Sequence, residues 1–230
     1  GFLNDLAQNL IEELQCETVF TIPVLGGIPV SEAVVVTWII MAVLVVIAFI
    51  LTRNLKVDHI SKRQAVAESI VTGLLNMVQG MVGEKGKAYV PYLTTVMLYI
   101  GVSNIIGLFG FKSPTKDLRV TVALALMSII LIEAAGIYHK GVKRWLHGFV
   151  EPVAIVTPIN ILEVVTKPLS LCMRLFGNVL GAFVIMELLK MILPVGLPVV
   201  FSLYFDIFDG LLQAYVFVFL TSLYIDEITE

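Results

Sequence analysis

Residues 31–52 read SEAVVVTWIIMAVLVVIAFILT, and the only charged side chain among them is Glu32, at the start. At a rise of about 1.5 Å per residue such a helix matches a hydrocarbon core of about 30 Å. The run is too long for the apolar region of a signal peptide, and no cleavable leader is expected. The rest of the chain agrees: of 230 residues, 58% are hydrophobic and 14% charged, with a mean hydropathy of +0.96. That composition belongs to polytopic membrane proteins and lies outside the range of soluble domains. The net charge of −3 says less than its distribution. Cys16 and Cys172 are far apart and the second sits in an apolar segment, so no disulfide framework is expected. Membrane lipid, and no nucleic acid, is the expected surrounding.

Working outward, residues 1–15 place Leu3, Leu6, Leu10 and Leu14 on one face, an amphipathic helix at a surface. Residues 18–30 look extended, with Gly26-Gly27 as the turn. After the first span, residues 64–83 set Val66, Ile70, Leu74, Met77 and Met81 against Glu68, Thr72, Asn76 and Gln79, and are expected to lie in the interface plane. Crossings follow at 88–111 and 118–138. A Pro-broken apolar stretch runs from 152, followed by helices at 168–193 and 199–225. The last two are longer than a crossing requires, so they should tilt strongly or project. The expected fold class is an all-α polytopic membrane protein with about five spanning helices plus amphipathic interfacial helices. Its parts are an external segment, 1–30, and one membrane domain, 31–230.

Orientation follows from Lys and Arg. The links containing Arg53, Lys56, Lys62 and Arg63, and Lys140, Lys143 and Arg144, fall on one side, and the first thirty residues contain neither type. The N-terminus is therefore expected outside and the C-terminal tail, DEITE, inside. The turn with Lys112, Lys116 and Arg119 is an exception, partly offset by Asp117.

Motifs for catalysis are missing. There is no HExxH, CxxC or GxSxG, and the three histidines, His59, His139 and His147, all lie in basic links. The stretch MVGEKGKA (81–88) resembles a phosphate loop by eye. Met81 stands where that motif needs glycine, and Ala88 where it needs Ser or Thr. No metal site, cofactor or catalytic site of the chain's own is expected.

What remains is a set of polar groups inside membrane segments. Ser170, Arg174, Gly177, Asn178 and Gly181 form one narrow stripe on the 168–193 helix. An arginine at bilayer depth costs from about 3 kcal/mol on insertion scales to more than about 10 in simulations, and such residues usually face a partner or water. One reading is a small-residue packing seam with a snorkelling arginine. The other is a surface that lets a second helix approach a fixed positive charge. On the last helix Asp206, Asp209, Gly210 and Gln213 share about a third of the circumference. If the two helices are antiparallel about a turn near residue 196, position i lies level with about 392−i, which sets Glu187 beside Asp206. Glu187 could instead pair locally with Lys190, and the two aspartates could cap their helix. Glu133 and Glu163, toward the inner side, form another polar path or sit at the interface.

The runs KPLSLCMRLFGNVLG (167–181) and LLQAYVFVFLTSLYI (211–225) resemble subunit a of bacterial F-type ATP synthases, the stator ion channel of the membrane motor. SNIIGLFG (103–110) and SPTKDLRVTVALAL (113–126) add support, and the resemblance covers about 30–225. It implies a chain of the bacterial plasma membrane that provides two offset half-channels for H⁺ or Na⁺. Arg174 would be the essential arginine facing a rotor ring of c subunits, with Gln213 its polar neighbour. Subunit b and the remaining ATP synthase subunits would be further partners. The chain departs from one common pattern: Phe183 stands where many members carry glutamate, and Asp206 where some carry histidine. Glu187 and Asp206 would together replace those groups. The alternative, a secondary ion-coupled transporter, would normally show internal repeats, and no repeat is visible. On the expected topology, Val142→Cys should resist an impermeant thiol reagent added to intact cells. Ready labelling from outside would overturn that orientation.

Overall fold

The computed structural model describes residues 4, 8, 11, 18–23, 28–55, 57, 60–109, 111–151, 153–192 and 196–229. The surface helix expected over 1–15 lies outside them apart from Asn4, Gln8 and Ile11, which are helical, and the Gly26-Gly27 turn and His59 lie outside them too. Strands β1 (Thr18–Ile22) and β2 (Ile28–Ser31) form an antiparallel hairpin. Its last residue leads directly into α1 (Glu32–Thr52).

Five helical stretches are long and apolar enough to cross a membrane, at 32–52, 84–109, 118–140, 157–192 and 197–229. This is a multi-pass, essentially all-α membrane protein. Between the first two stretches lies α2 (Lys62–Met81), capped by Ser61, whose Oγ accepts from the Gln64 amide. Val66, Ile70 and Met77 of α2 are exposed, while Leu74 and Met81 pack on the core. The second stretch is α3 (Val90–Ile105) with short 3-10 turns at both ends. Then come α4 (Leu118–Lys140) and the short α5 (Val142–Gly148).

The fourth stretch differs from expectation at its start. Helix α6 runs Thr157–Ile192 without a break, 36 residues with Pro168 inside, where the sequence suggested a helix from 168. Proline inside a membrane helix is tolerated when side chains re-satisfy freed backbone groups. The carbonyl that Pro168 leaves without its amide partner is that of Val164, a residue that lines a cavity, and Thr166 Oγ1 donates to the neighbouring Glu163 carbonyl at 3.1 Å. The fifth stretch is also longer than expected: α7 (Leu197–Leu203), a π-helical turn (Tyr204–Asp209) and α8 (Gly210–Thr229) follow one another.

Helix α8 is the centre of the packing. Ala214, Phe217, Val218, Thr221, Ser222 and Ile225 recur at helical spacing on its buried face, against Val90, Leu93, Met97 and Ile100 of α3 and Leu124, Ile132 and Ala135 of α4. Helix α6 contributes Leu171, Cys172 and Leu175 to the same core. Helix α1 buries only Ala33, Val36 and Ile40, which leaves most of its circumference for lipid.

Lipid tails are as apolar as leucine, so helices in a membrane associate by close packing and polar contacts. Small and hydroxylated residues do this work here. A Cβ added at Gly210 would sit 2.8 Å from Asn104 Cβ, and one at Gly136 would sit 2.8 Å from Ile228. Ser31 Oγ donates to Asp117 Oδ2 at 3.0 Å in a buried contact, and Asp117 Oδ1 accepts from the Arg119 amide at 2.9 Å. One carboxylate thus ties the start of α1 to the start of α4. At the far end the MVGEKGKA stretch has a structural use: Asp226 accepts from the Gly83 amide with both oxygens, each at 3.0 Å.

Overpacking a tight contact costs about 1–3 kcal/mol. Gly210→Ala should therefore lower the Tm measured in detergent, whereas Gly73→Ala, whose Cβ meets nothing within 4 Å, should leave it unchanged or raise it. Equal Tm values for Gly210→Ala and wild type would remove the close approach of α3 and α8.

Candidate functional site

Arg174 lies near the middle of α6 and is exposed. Among the described residues it has no ion pair or hydrogen bond partner. Ser170 and Gly177 beside it are exposed as well, and Gly181 is half-buried. A Cβ at either glycine would meet nothing within 4 Å. Among the described residues no helix packs against these two glycines. The stripe is an open face with an obligate cation in it, because a guanidinium does not lose its proton in proteins.

Asn178 stands at the edge of that stripe and turns toward the last helix, where its Nδ2 donates to Asp209 Oδ1 at 3.2 Å. The sequence register put residue 178 level with 214, so the contact is five residues off. Much of the offset follows from α6 ending at Ile192 and the next helix starting already at Leu197. Counted from the Asn178–Asp209 bond, Arg174 lies level with Gln213, where the 392−i register set it level with residue 218. Gln213 is buried, and its amide makes no hydrogen bond with a described residue.

Asp206, Asp209, Gly210 and Gln213 line a cavity of about 430 Å³ together with Glu187 of α6. The cavity thus unites the carboxylates that the sequence grouped from two separate helices. Glu187 also makes the local ion pair that was the alternative, with Lys190 Nζ at 2.7 Å. Both aspartates sit on the π-helical turn, a rare geometry frequently found at functional sites, and not at the start of their helix as caps. Phe183 lines the same space, with Lys116 Nζ 4.5 Å from its ring centroid, a cation–π contact.

A buried polar chain holds this wall. Asn104 Nδ2 donates to the Gly210 carbonyl at 2.9 Å, Thr115 Oγ1 donates to Asn104 Oδ1 at 2.7 Å, and Ser113 Oγ donates to the Ser103 carbonyl at 2.6 Å. These residues are the SN of 103–110 and the SPT of 113–126. The sequence reading used both runs only for their resemblance. Their signal was polar side chains within or beside an apolar helix. The lysines that broke the charge rule are explained by position: Lys112 Nζ lies 3.4 Å from Glu32, and both Lys112 and Lys116 face the cavity.

A second, wider cavity of about 910 Å³ opens at the opposite end of the bundle, where α4 finishes and α6 begins. Glu133 and Glu163 both line it. Glu133 accepts from Trp145 Nε1 at 2.8 Å, and Glu163 pairs with Lys167 at 3.3 Å. Lys167 also reaches Glu227 at 3.1 Å. Along α6, Lys167 belongs to this cavity and Val179 to the other, so Arg174 falls between them. Among the described residues no group of three or more His, Cys, Asp or Glu could hold a metal ion.

Residues 34–226 match the model of the ATP synthase A chain family. The chain is 35% identical over 203 residues to the ATP synthase subunit a of Moorella thermoacetica, covering 87% of this chain and 92% of that protein. It is 34% identical to the sodium ion specific ATP synthase subunit a of Propionigenium modestum, covering 86% and 74%. The ATP synthase subunit a 1 of Crocosphaera subtropica is 30% identical, with 85% of each chain covered.

If the cavity around Asp206 is filled by water, thiols placed in it should react with a water-soluble maleimide. Asp206→Cys and Asp209→Cys, in a chain with Cys16 and Cys172 replaced, should label readily. Val218→Cys, at a position 0% exposed, should not. Equal protection of all three would mean a dry pocket and no aqueous path.

Proposed function

The chain belongs to the ATP synthase A chain family, and from that premise we propose that it is the ion-translocating stator subunit of a rotary F-type ATP synthase. It works at the face of a ring of c subunits, alongside subunit b and the rest of the complex, in the bacterial plasma membrane. The single observation that carries this reading is Arg174: exposed, inside a spanning helix, and with no partner among the described residues. A charge of that kind requires an answer from another molecule, because a bare cation in hydrocarbon is expensive. The open glycines beside it leave room for a helix to approach.

The mechanism follows from electrostatics. A rotor carboxyl in lipid is neutral, because desolvation disfavours its charged form. Opposite Arg174 the ionised form becomes favourable, so the carboxyl releases its ion to one aqueous path and accepts another from a second. The cavity lined by Asp206, Asp209, Gln213 and Glu187 is the outer path, with Asn178 at its edge toward the rotor face. The cavity lined by Glu133 and Glu163 is the inner one. Since the two open at opposite ends of the bundle, with Arg174 between them, an ion, H⁺ or Na⁺, passes from one to the other only by travelling with the ring. The membrane potential supplies about 2.3 kcal/mol per charge per 100 mV. Arginine suits the position because it does not relay a proton itself, and lysine would be a poor substitute once desolvated.

Arg174→Ala should abolish ATP synthesis and ATP-driven pumping in an assembled complex, and passive ion leak should rise. Arg174→Lys should fail almost as badly. In the same vesicle uptake measurement Asp206→Asn should slow turnover yet preserve coupling. Glu187→Gln should slow it less, because Lys190 already holds that carboxylate. Normal coupled pumping by assembled Arg174→Ala complexes would sink this function.

A further inference from the structure

Three cations at the Lys140 end of the wide cavity are left unanswered by the described residues. The glutamates of the cavity are engaged. Glu133 is bonded by Trp145, Glu163 and Glu227 share Lys167, and Glu151 faces His147 at 3.6 Å. Lys85 Nζ donates to the Thr229 carbonyl at 2.7 Å. Lys140, Lys143 and Arg144 also line the cavity, and none of them has an ion pair or hydrogen bond with a described residue. Lys140 is half-buried, and the other two are exposed.

The same short helix offers a second surface. Val142 and Leu146 share one face of α5, with Arg144 on the opposite side and Lys143 at their flank by helical spacing, and they are 57% and 55% exposed. Trp145 and Phe149 pack edge to face beside them, ring centroids 5.0 Å apart. Between Arg119 and His139, helix α4 carries Glu133 as its one charged residue and then turns basic at His139 and Lys140, so this element stands where a spanning helix leaves the hydrocarbon. Uncovered aliphatic residues bordered by Lys143, with Arg144 opposite and a tryptophan between, describe the interface of a bilayer.

We propose that Lys140, Lys143 and Arg144 form a binding site for an anionic phospholipid, with its phosphate in the rim of this cavity and its acyl chains against Val142 and Leu146. Basic pockets between membrane helices on the inner side bind such head groups, and each basic residue near the surface is worth about fivefold in affinity. A cavity of about 910 Å³ is large enough for a head group. An acidic segment of a partner protein would answer the charges as well, but it would leave the exposed aliphatic residues of α5 without a match. The head group sits at the Lys140, Lys143 and Arg144 rim and leaves the Glu133 and Glu163 walls open to the proposed inner ion path, on which the site does not depend.

The test is to purify the protein, with whatever it assembles with, in mild detergent and to measure retained lipid by mass spectrometry. Lys140→Gln/Lys143→Gln/Arg144→Gln should retain at least about tenfold less anionic phospholipid, with zwitterionic lipid unchanged. The charge-preserving Lys140→Arg/Lys143→Arg/Arg144→Lys should retain wild-type amounts. Phosphatidylglycerol in mixed micelles should raise the Tm of wild type, and inorganic phosphate at equal concentration should not. If the triple variant does not assemble, the exposed single change Lys143→Gln is read in the same way, with about a fivefold loss expected. Equal retention of anionic lipid by the neutralised variants would overturn the proposal. So would a Tm rise with phosphate alone, or the loss of a protein subunit while lipid is retained.

Discussion

Inside a bilayer no water is available to satisfy a polar group, so each one has to be paired within the protein, open to an aqueous cavity, or answered by another molecule. The polar residues of this chain sort into those three kinds. Asn104, Ser113, Thr115 and Asp117 are buried and bonded to one another, to backbone, or to Ser31. Asp206, Asp209 and Glu187 line a cavity. Arg174 has neither kind of support among the described residues, which places it in the third kind.

The paired group makes the other two possible. The bond from Asn104 to the Gly210 carbonyl holds α3 against the first residue of α8, directly after the π-helical turn that carries both aspartates. The absent side chain of Gly210 lets the two backbones come close enough for that bond. A satisfied network in a low-dielectric interior rigidifies its surroundings, and among the described residues Ser103 Oγ is the buried side-chain atom of this group left without a partner. The wall of the cavity is therefore built from interactions that hold their geometry beneath the carboxylates that line it.

Much of this was legible in the sequence, because apolar run length and charge placement are direct consequences of the solvent. The five spans, the isolated arginine, the polar stripe around it and the carboxylates of the last helix all follow from such patterns. Other features were not legible. Pro168 was read as a helix start, since proline is a breaker in water, yet α6 carries it in its interior and begins at Thr157. The pairing of Asn178 with Asp209 depended on a turn whose length, off by a few residues, shifts the register by more than a helical turn. The π-helical segment at Tyr204–Asp209 has no periodic signature of its own.

The departure from the common family pattern at Phe183 has a physical reading in the same cavity. What an aqueous path needs is a carboxylate at the right depth, and the helix that supplies it matters less. Phe183 is buried in the wall and receives Lys116 over its ring. Asp206 and Asp209 reach the same space from the opposite helix. An aromatic ring in that wall tolerates a cation as neighbour without adding a fourth carboxylate to Glu187 and the two aspartates. Two like charges at one depth already repel, and a glutamate at 183 would add to that repulsion unless a further cation moved in. Phe183 thus shares one cavity with Glu187, Asp206 and Asp209, its ring receiving the lysine while the carboxylates come from farther along α6 and from the last helix.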